Sequence, residues 1–274
     1  MADKRLNRVI IYSLLAFAVL LTLIPIIWMI SASLRSSMQV YVPPFERLAE
    51  GLDWKNYQTA LTARPFMRYL LNSVFASSIS SLITVVLGMA AGYGFAHFNF
   101  PGHRVLFVVV LSTLMIPFET IAVPLYIQIY EWGWINTYTG LIIPTAFTPL
   151  GVFIMRQFML GIPKELIESS RMDGAGELMI LWNIIRPLSL PAISAVAIFT
   201  FVSTWNSYLW PLLVVNEDHL RTLPLGVAIF ESQLTTTYNQ IMAAAVFGAL
   251  PMIVMFIVFQ KNFIKGVVLT GLKE

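Results

Sequence analysis

Apolar residues fall along this chain in long blocks, and six of them follow one another, at residues 9–30, 70–95, 105–130, 139–158, 190–215 and 241–259. Each is close to or longer than the roughly 20 residues a helix needs to cross about 30 Å of hydrocarbon. Leu, Ile, Val, Phe, Ala and Met fill them without the strict alternation of a barrel strand. The pattern predicts an all-α polytopic membrane protein with six transmembrane helices, read as one transmembrane domain over residues 1–274. The first block follows Lys4, Arg5 and Arg8 and outruns the 7–15 apolar residues of a secretory signal, so it reads as a retained helix.

The polar stretches between the blocks differ in kind. Residues 34–69 carry Pro43-Pro44, three acids and five basic residues, and predict an external segment with a short helix near Trp54 to Leu61. The second block is rich in Ser, Gly and Ala, including Gly88, Gly92 and Gly94, which let helices approach closely; Gly92-Tyr93-Gly94 reads as packing. Pro101-Gly102 marks a tight turn before the third block. Glu131 to Tyr138 reads as an external loop with interfacial aromatics, and Asn216 opens a second external segment. Glu119 is an acid inside the third block. Such residues face a bundle interior or a wet path because an ionised group at the bilayer centre costs about 2.5–3.5 kcal/mol. Glu119 is therefore a candidate for a translocation path, with Trp205, Asn206 and Tyr208, whose aromatics suit stacking on a solute or anchoring at an interface.

Composition agrees with a membrane protein: 58% of residues are hydrophobic and 11% charged, and the mean hydropathy is +0.77. With no Cys and three scattered His residues, no thiolate site, disulfide or HExxH zinc motif is available. A net charge of +3 is too small for a nucleic-acid binder. Charge also orients the chain. Lys4, Arg5, Arg8, Arg104, Arg156, Lys164, Arg171, Arg186, Lys261, Lys265 and Lys273 fall on one side of the six-span arrangement, and they are eleven of the 17 basic residues. The positive-inside rule then places both termini in the cytoplasm.

That topology leaves a charged loop, residues 159–189, on the cytoplasmic side between the fourth and fifth blocks. Pro163 suits the first turn of a helix, with Glu165 and Glu168 near its positive end. Asp173-Gly174 reads as its stop, with Gly174 left-handed, and a second helix follows from about Ala175 to Ile185, ending at Pro187. Two short helices at an angle form a knob suited to a groove in a soluble partner.

The spacing Glu168-Ser169-Ser170, three residues, Gly174, nine residues, Ile184, one residue, Arg186-Pro187 resembles the EAA signature of membrane subunits of binding-protein-dependent ABC importers. Asp173-Gly174-Ala175 is the variant of carbohydrate importers; Ser169 and Ser170 stand where the motif has alanines, and Arg186 where it has leucine. Asn72, Phe100 to Arg104, Met115-Ile116-Pro117, Asn136-Thr137-Tyr138, Arg156-Gln157-Phe158, Trp205-Asn206, Arg221 to Gly226 and the tail from Gln260 are similar to the MalG-type sugar permease pattern over nearly the whole chain.

The resemblance implies a MetI-like type I importer permease in a bacterial or archaeal inner membrane. It implies a second, MalF-type permease subunit, an ATPase dimer and an extracytoplasmic solute-binding protein as partners. Glu168, Ser169, Ser170, Asp173, Gly174 and Ala175 would form the coupling helix that docks on the ATPase. Lys265, with Gly266 and Gly271 as turns, would carry the tail toward the same partner. No Gly-x4-Gly-Lys-Ser/Thr occurs, so ATP and Mg would be held by the ATPase and this chain would bind no cofactor. A secondary transporter working without an ATPase is the competing reading; it needs internal repeats and intramembrane ion sites. A membrane enzyme needs clustered catalytic groups at one face, and the polar residues here are dispersed. The solutes that the resemblance admits are disaccharides, oligosaccharides, polyols, glycerol phosphate and amino sugar derivatives.

Overall fold

In a computed structural model the backbone is described at residues 2–36, 52–233 and 238–271, and the side chains at 7–8, 10–36, 52–231 and 238–257. The described residues are helical with short connections. The helices are α1 (Ala2–Ser33), α2 (Lys55–Ala63), α3 (Phe66–His97), α4 (His103–Met115), α5 (Phe118–Glu131), α6 (Tyr138–Thr145), α7 (Pro149–Met159), α8 (Lys164–Met172), α9 (Glu177–Leu188), α10 (Leu190–Trp205), α11 (Leu209–Val214), α12 (Leu223–Gln233) and α13 (Tyr238–Gly271). Three stretches, Ile10–Ser33, Phe66–His97 and Tyr238–Ile257, are each long and apolar enough to cross a bilayer. Three further spans arise if each bent pair counts as one: α4 with α5, bent by 99°, α6 with α7, bent by 46°, and α9 with α10, bent by 82°.

The bends have local causes. Pro117 lacks the N–H that would continue α4, and Ile116 before it takes an extended conformation at ψ 114°. Pro149 opens α7 behind Thr148, whose hydroxyl accepts from the Gly151 N–H at 3.3 Å and caps the helix. The fifth block, read from sequence as a continuous helix over 190–215, is interrupted after Trp205 and resumes at Leu209. Pro187 does not end α9. The turn before it, Leu181–Ile185, widens to π-helical hydrogen bonding and the helix continues through Arg186–Leu188. A widened turn relieves the clash between the proline ring and the carbonyl four residues back.

Contacts divide the chain into two compact units where the sequence reads as one domain: residues 1–67 with 226–251, and residues 68–225 with 252–274. The first unit is tied by Asn56, 5% exposed. Its side-chain amide donates to the Ser33 and Arg35 carbonyls at 3.0 and 2.8 Å, and its Oδ1 accepts from Asn239 at 2.6 Å. Phe66 adds edge-on contacts with Phe230 and Phe247. α2 falls close to where the sequence places a short helix.

In the second unit α3 and α7 cross at very close range. A Cβ on Gly92 would lie 2.6 Å from the Met155 Cβ and 2.9 Å from the Arg156 N, and one on Gly88 would meet the Gly151 backbone at 3.2 Å. Gly94 faces nothing within 4 Å. Gly92 therefore serves the packing that the sequence assigns to both glycines.

A second feature of this unit is a polar knot at one end of α3. Asn72, 1% exposed, donates to the carbonyls of His219 and Arg221 at 2.9 and 2.8 Å and accepts from the Tyr138 hydroxyl at 2.6 Å. Asn136, at φ 55°, receives the N–H groups of Asn216 and Glu217 on its side-chain oxygen. Three motif segments remote in sequence thus meet at one place. Leu at position 72 keeps the size but takes away the partner of the Arg221 carbonyl and of the Tyr138 hydroxyl, at about 1–3 kcal/mol for each orphaned group, while the His219 carbonyl keeps Arg68 Nε. Asn72→Leu is expected to lower the thermal midpoint of the detergent-solubilised chain by several degrees, whereas Asn206→Leu, whose exposed amide reaches only the Val202 carbonyl, leaves it near wild type.

Candidate functional site: a knob clasped to the third helix

The charged loop folds as two helices about a glycine turn. α8 starts at Lys164, with Pro163 just outside it at ψ 130°. It ends in a Schellman motif: Gly174 stands at φ 83°, its N–H reaches the Arg171 carbonyl at 3.0 Å, and the Ala175 N–H reaches the Ser170 carbonyl at 3.0 Å. The left-handed Gly174 that Asp173-Gly174 suggests is thus present. α9 begins at Glu177, two residues later than the sequence suggests, because Ala175 and Gly176 are used in the turn.

One side of the knob is apolar and fixed. Ile167, Ile180 and Ile185, each no more than 2% exposed, share a core with Met89 and Tyr93 of α3, Met155 and Met159 of α7, and Val196 of α10. The other side is open. Glu165, Glu168, Ser169, Asp173 and Gly174 are exposed, and Ser170 and Ala175 are half-buried. Ser169 and Ser170 both turn their hydroxyls back to the Leu166 carbonyl, at 3.2 and 2.7 Å, so each presents little more than a small side chain outward. Met172 and Leu178 flank the turn at 88% and 82% exposure. Two nearly naked apolar side chains thus lie beside the carboxylates of Glu165, Glu168 and Asp173, which pair with nothing among the described residues.

Glu177 organises the polar side. Its two carboxylate oxygens accept from Arg171 Nε and from the Tyr93 hydroxyl, each at 2.7 Å. The Arg171 hydrogen bond holds the Glu177 carboxyl below the usual carboxylate range, and the same bond raises Arg171. The Arg171 guanidinium also lies 5.7 Å from the centre of the Phe98 ring. Arg186 is settled on its own helix, 4.5 Å over the Trp182 ring, with both residues exposed. Sequence reasoning missed Glu177 and the role of Tyr93. The available signal was a phenol one turn before the end of an apolar helix, opposite a loop with an Arg and a Glu six residues apart.

The remaining candidates are dispersed. Glu119 is exposed in the first turn of α5, just past the bend at Pro117, where its charge suits the helix N-terminus. Asn206 and Tyr208 are exposed where α10 gives way to α11. Trp205 is 3% exposed and stacked on Phe201, leaving no open face for a sugar ring in this conformation. Trp210 is buried too, donating to the Gly140 carbonyl at 3.1 Å. Hydroxyls absent from the sequence-based set, Thr148, Thr200 and Ser203, line a cleft of about 70 Å³ beside Gly151. The side chains of Lys265 and the environment of Gly266 and Gly271 lie outside the described residues. The backbone of α13 is helical through Gly271, so position 266 is not a turn.

Comparison with known proteins gives this arrangement its class. Residues 84–263 match the family described as binding-protein-dependent transport system inner membrane component. The arabinooligosaccharides transport system permease protein AraQ of Bacillus subtilis is 36% identical over 76% of this chain and 74% of its own length. AraQ of Halalkalibacterium halodurans is 33% identical over 94% of each. The sn-glycerol-3-phosphate transport system permease protein UgpE of Rhizobium meliloti is 30% identical over 98% of this chain and 99% of its own. A solved structure of a bacterial ABC transporter involved in the import of the acidic polysaccharide alginate superposes with a TM-score of 0.82 over 96% of this chain and 98% of that one, and at 23% identity it speaks for the fold.

The chain belongs to the family of inner membrane components of binding-protein-dependent transport systems. It is a transport permease subunit, not an enzyme, and its described residues are helical in the fold of that solved transporter chain.

Proposed function

We propose that this chain is the transmembrane subunit of an ATP-driven importer for a sugar or sugar-like solute, and that the knob α8–α9 is where a cytoplasmic ATPase docks. The observation that carries the reading is the two-sided build of the knob: three isoleucines root it in the core of α3, α7 and α10, while Glu168, Met172 and Leu178 stand outward. A knob rooted on one side and open on the other offers a partner a face through which to act on the spans. The permease names of the relatives support the solute class, since they cover arabinooligosaccharides and glycerol phosphate. Both termini and the knob lie in the cytoplasm, and the protein resides in the cytoplasmic membrane. A MalF-type permease forms the other half of the path, to which Glu119, Asn206 and Tyr208 contribute. An extracytoplasmic binding protein delivers the solute. ATP and Mg are held by the ATPase dimer, because this chain has no phosphate-cradling Gly-x4-Gly-Lys-Ser/Thr loop.

Glu168→Lys reverses an exposed charge that has no hydrogen-bond or ion-pair partner among the described residues. Membrane insertion is expected to be unchanged, while co-purification of the ATPase and solute uptake fall by roughly tenfold or more, as for a reversed charge at a docking anchor. Normal ATPase association and normal uptake in this variant would sink the docking role. Uptake by proteoliposomes that contain no ATPase would instead establish a secondary transporter.

A further inference from the structure

The docking helix α8 is held to the rest of the protein by little. Ile167 is its one buried side chain, and its far end joins α9 through Gly174-Ala175-Gly176. Neither of these glycines has any atom within 4 Å of where a Cβ would sit. Two uncrowded glycines in three residues give this turn the backbone freedom of a pivot. A helix on a pivot rotates under load, and its displacement is lost before it reaches a membrane span.

Glu177 stands across that pivot. It is the first residue of α9; through Oε1 it holds Arg171, the last basic residue of α8, and through Oε2 it holds Tyr93, 4% exposed on α3. One carboxylate therefore joins the docking helix, the helix after it and a membrane-spanning helix. As a source of stability this is modest, because the ion pair is about 40% exposed on each side and such pairs contribute little. What it fixes is the angle of α8 against α3. We infer that Glu177 is a positioning residue of the coupling step, clasping α8 to α3 through Arg171 and Tyr93 so that movement of a docked ATPase reaches the membrane span. The inference rests on the docking reading above.

The test uses the complete transporter in proteoliposomes, with ATP hydrolysis and solute uptake measured on the same sample. Glu177→Ala removes both bonds, and Tyr93→Phe removes one while keeping the ring in the core. The expected result is ATPase retention and hydrolysis near wild type, with solute imported per ATP hydrolysed lowered about fivefold or more in Glu177→Ala and less in Tyr93→Phe, the scale set by loss of a charged hydrogen bond. A purely structural residue would lower the amount of transporter and leave the ratio alone. An unchanged ratio in both variants overturns the inference, and if Glu177→Ala does not accumulate, the ratio in Tyr93→Phe decides. A wild-type chain that retains no ATPase overturns the docking reading, and the inference falls with it.

Discussion

Gly92→Val is expected to abolish accumulation of the folded chain, while Gly94→Val, two residues away on the same helix, is expected to leave it near wild type. The difference is geometric. At Gly92 the first side-chain carbon alone would stand 2.6 Å from the Met155 Cβ and 2.9 Å from a backbone nitrogen of α7, and a backbone cannot step aside as a flexible side-chain end can. Valine adds two methyl groups to that collision. Overpacking of this kind costs about 1–3 kcal/mol where neighbours yield, and more where they do not. Close approach is also what holds helices together in lipid, where burial of apolar surface supplies no drive. Position 94 faces open space within the chain. Size-exclusion profiles of the two variants extracted in the same detergent give the readout, and a monodisperse Gly92→Val peak at wild-type yield would show that α3 and α7 do not cross as described.

Gly174→Val should leave the spans in place and impair transport far more than Gly174→Ala. The residue holds φ 83° with its amide committed to the Schellman turn, so any Cβ meets the strain of the left-handed region, about 1–2 kcal/mol. No neighbour crowds the position, so strain is the whole effect. Valine, branched at Cβ, fits that region worst. Relief comes from unwinding the last turn of α8, which would displace Asp173 and Met172 from the docking face. Uptake is expected to fall about tenfold for alanine, the equivalent of 1.4 kcal/mol, and further for valine. Equal uptake in the two variants would mean that the turn is not left-handed when the protein works.

What the sequence makes readable is what local chemistry decides. The apolar blocks follow from the solvent they must meet, and the end of α8 follows from Asp173-Gly174 because a helix stop is a matter of a few adjacent residues. Pro187 shows the limit of that approach. As punctuation it ends a helix, yet α9 passes through it by widening the turn at Leu181–Ile185, a choice made by the isoleucines that must stay in the core. The bend angles are likewise invisible in hydropathy, since a straight span and one folded by 99° have the same composition. Pairings across long intervals were out of reach for the same reason: Asn56 with Asn239, and Tyr93 with Glu177, depend on which helices meet. For Asn72, Asn136 and Arg221 the family pattern singled out the residues, and only the fold shows that they share one knot. Among the path candidates, burial removes Trp205 from the surface that its aromatic character suggested.

The broken spans have a consequence for hydration. A bilayer interior tolerates an interrupted helix only where other protein or water takes up the peptide groups that the break releases. Residues 116–117, 146–148 and 206–208 are such interruptions, each inside a block that hydropathy alone would seal against water. Peptide hydrogens next to them should therefore exchange with deuterated solvent faster than those in the unbroken middle of α3, and the order in which they do so would trace the course by which water enters the membrane part of this chain.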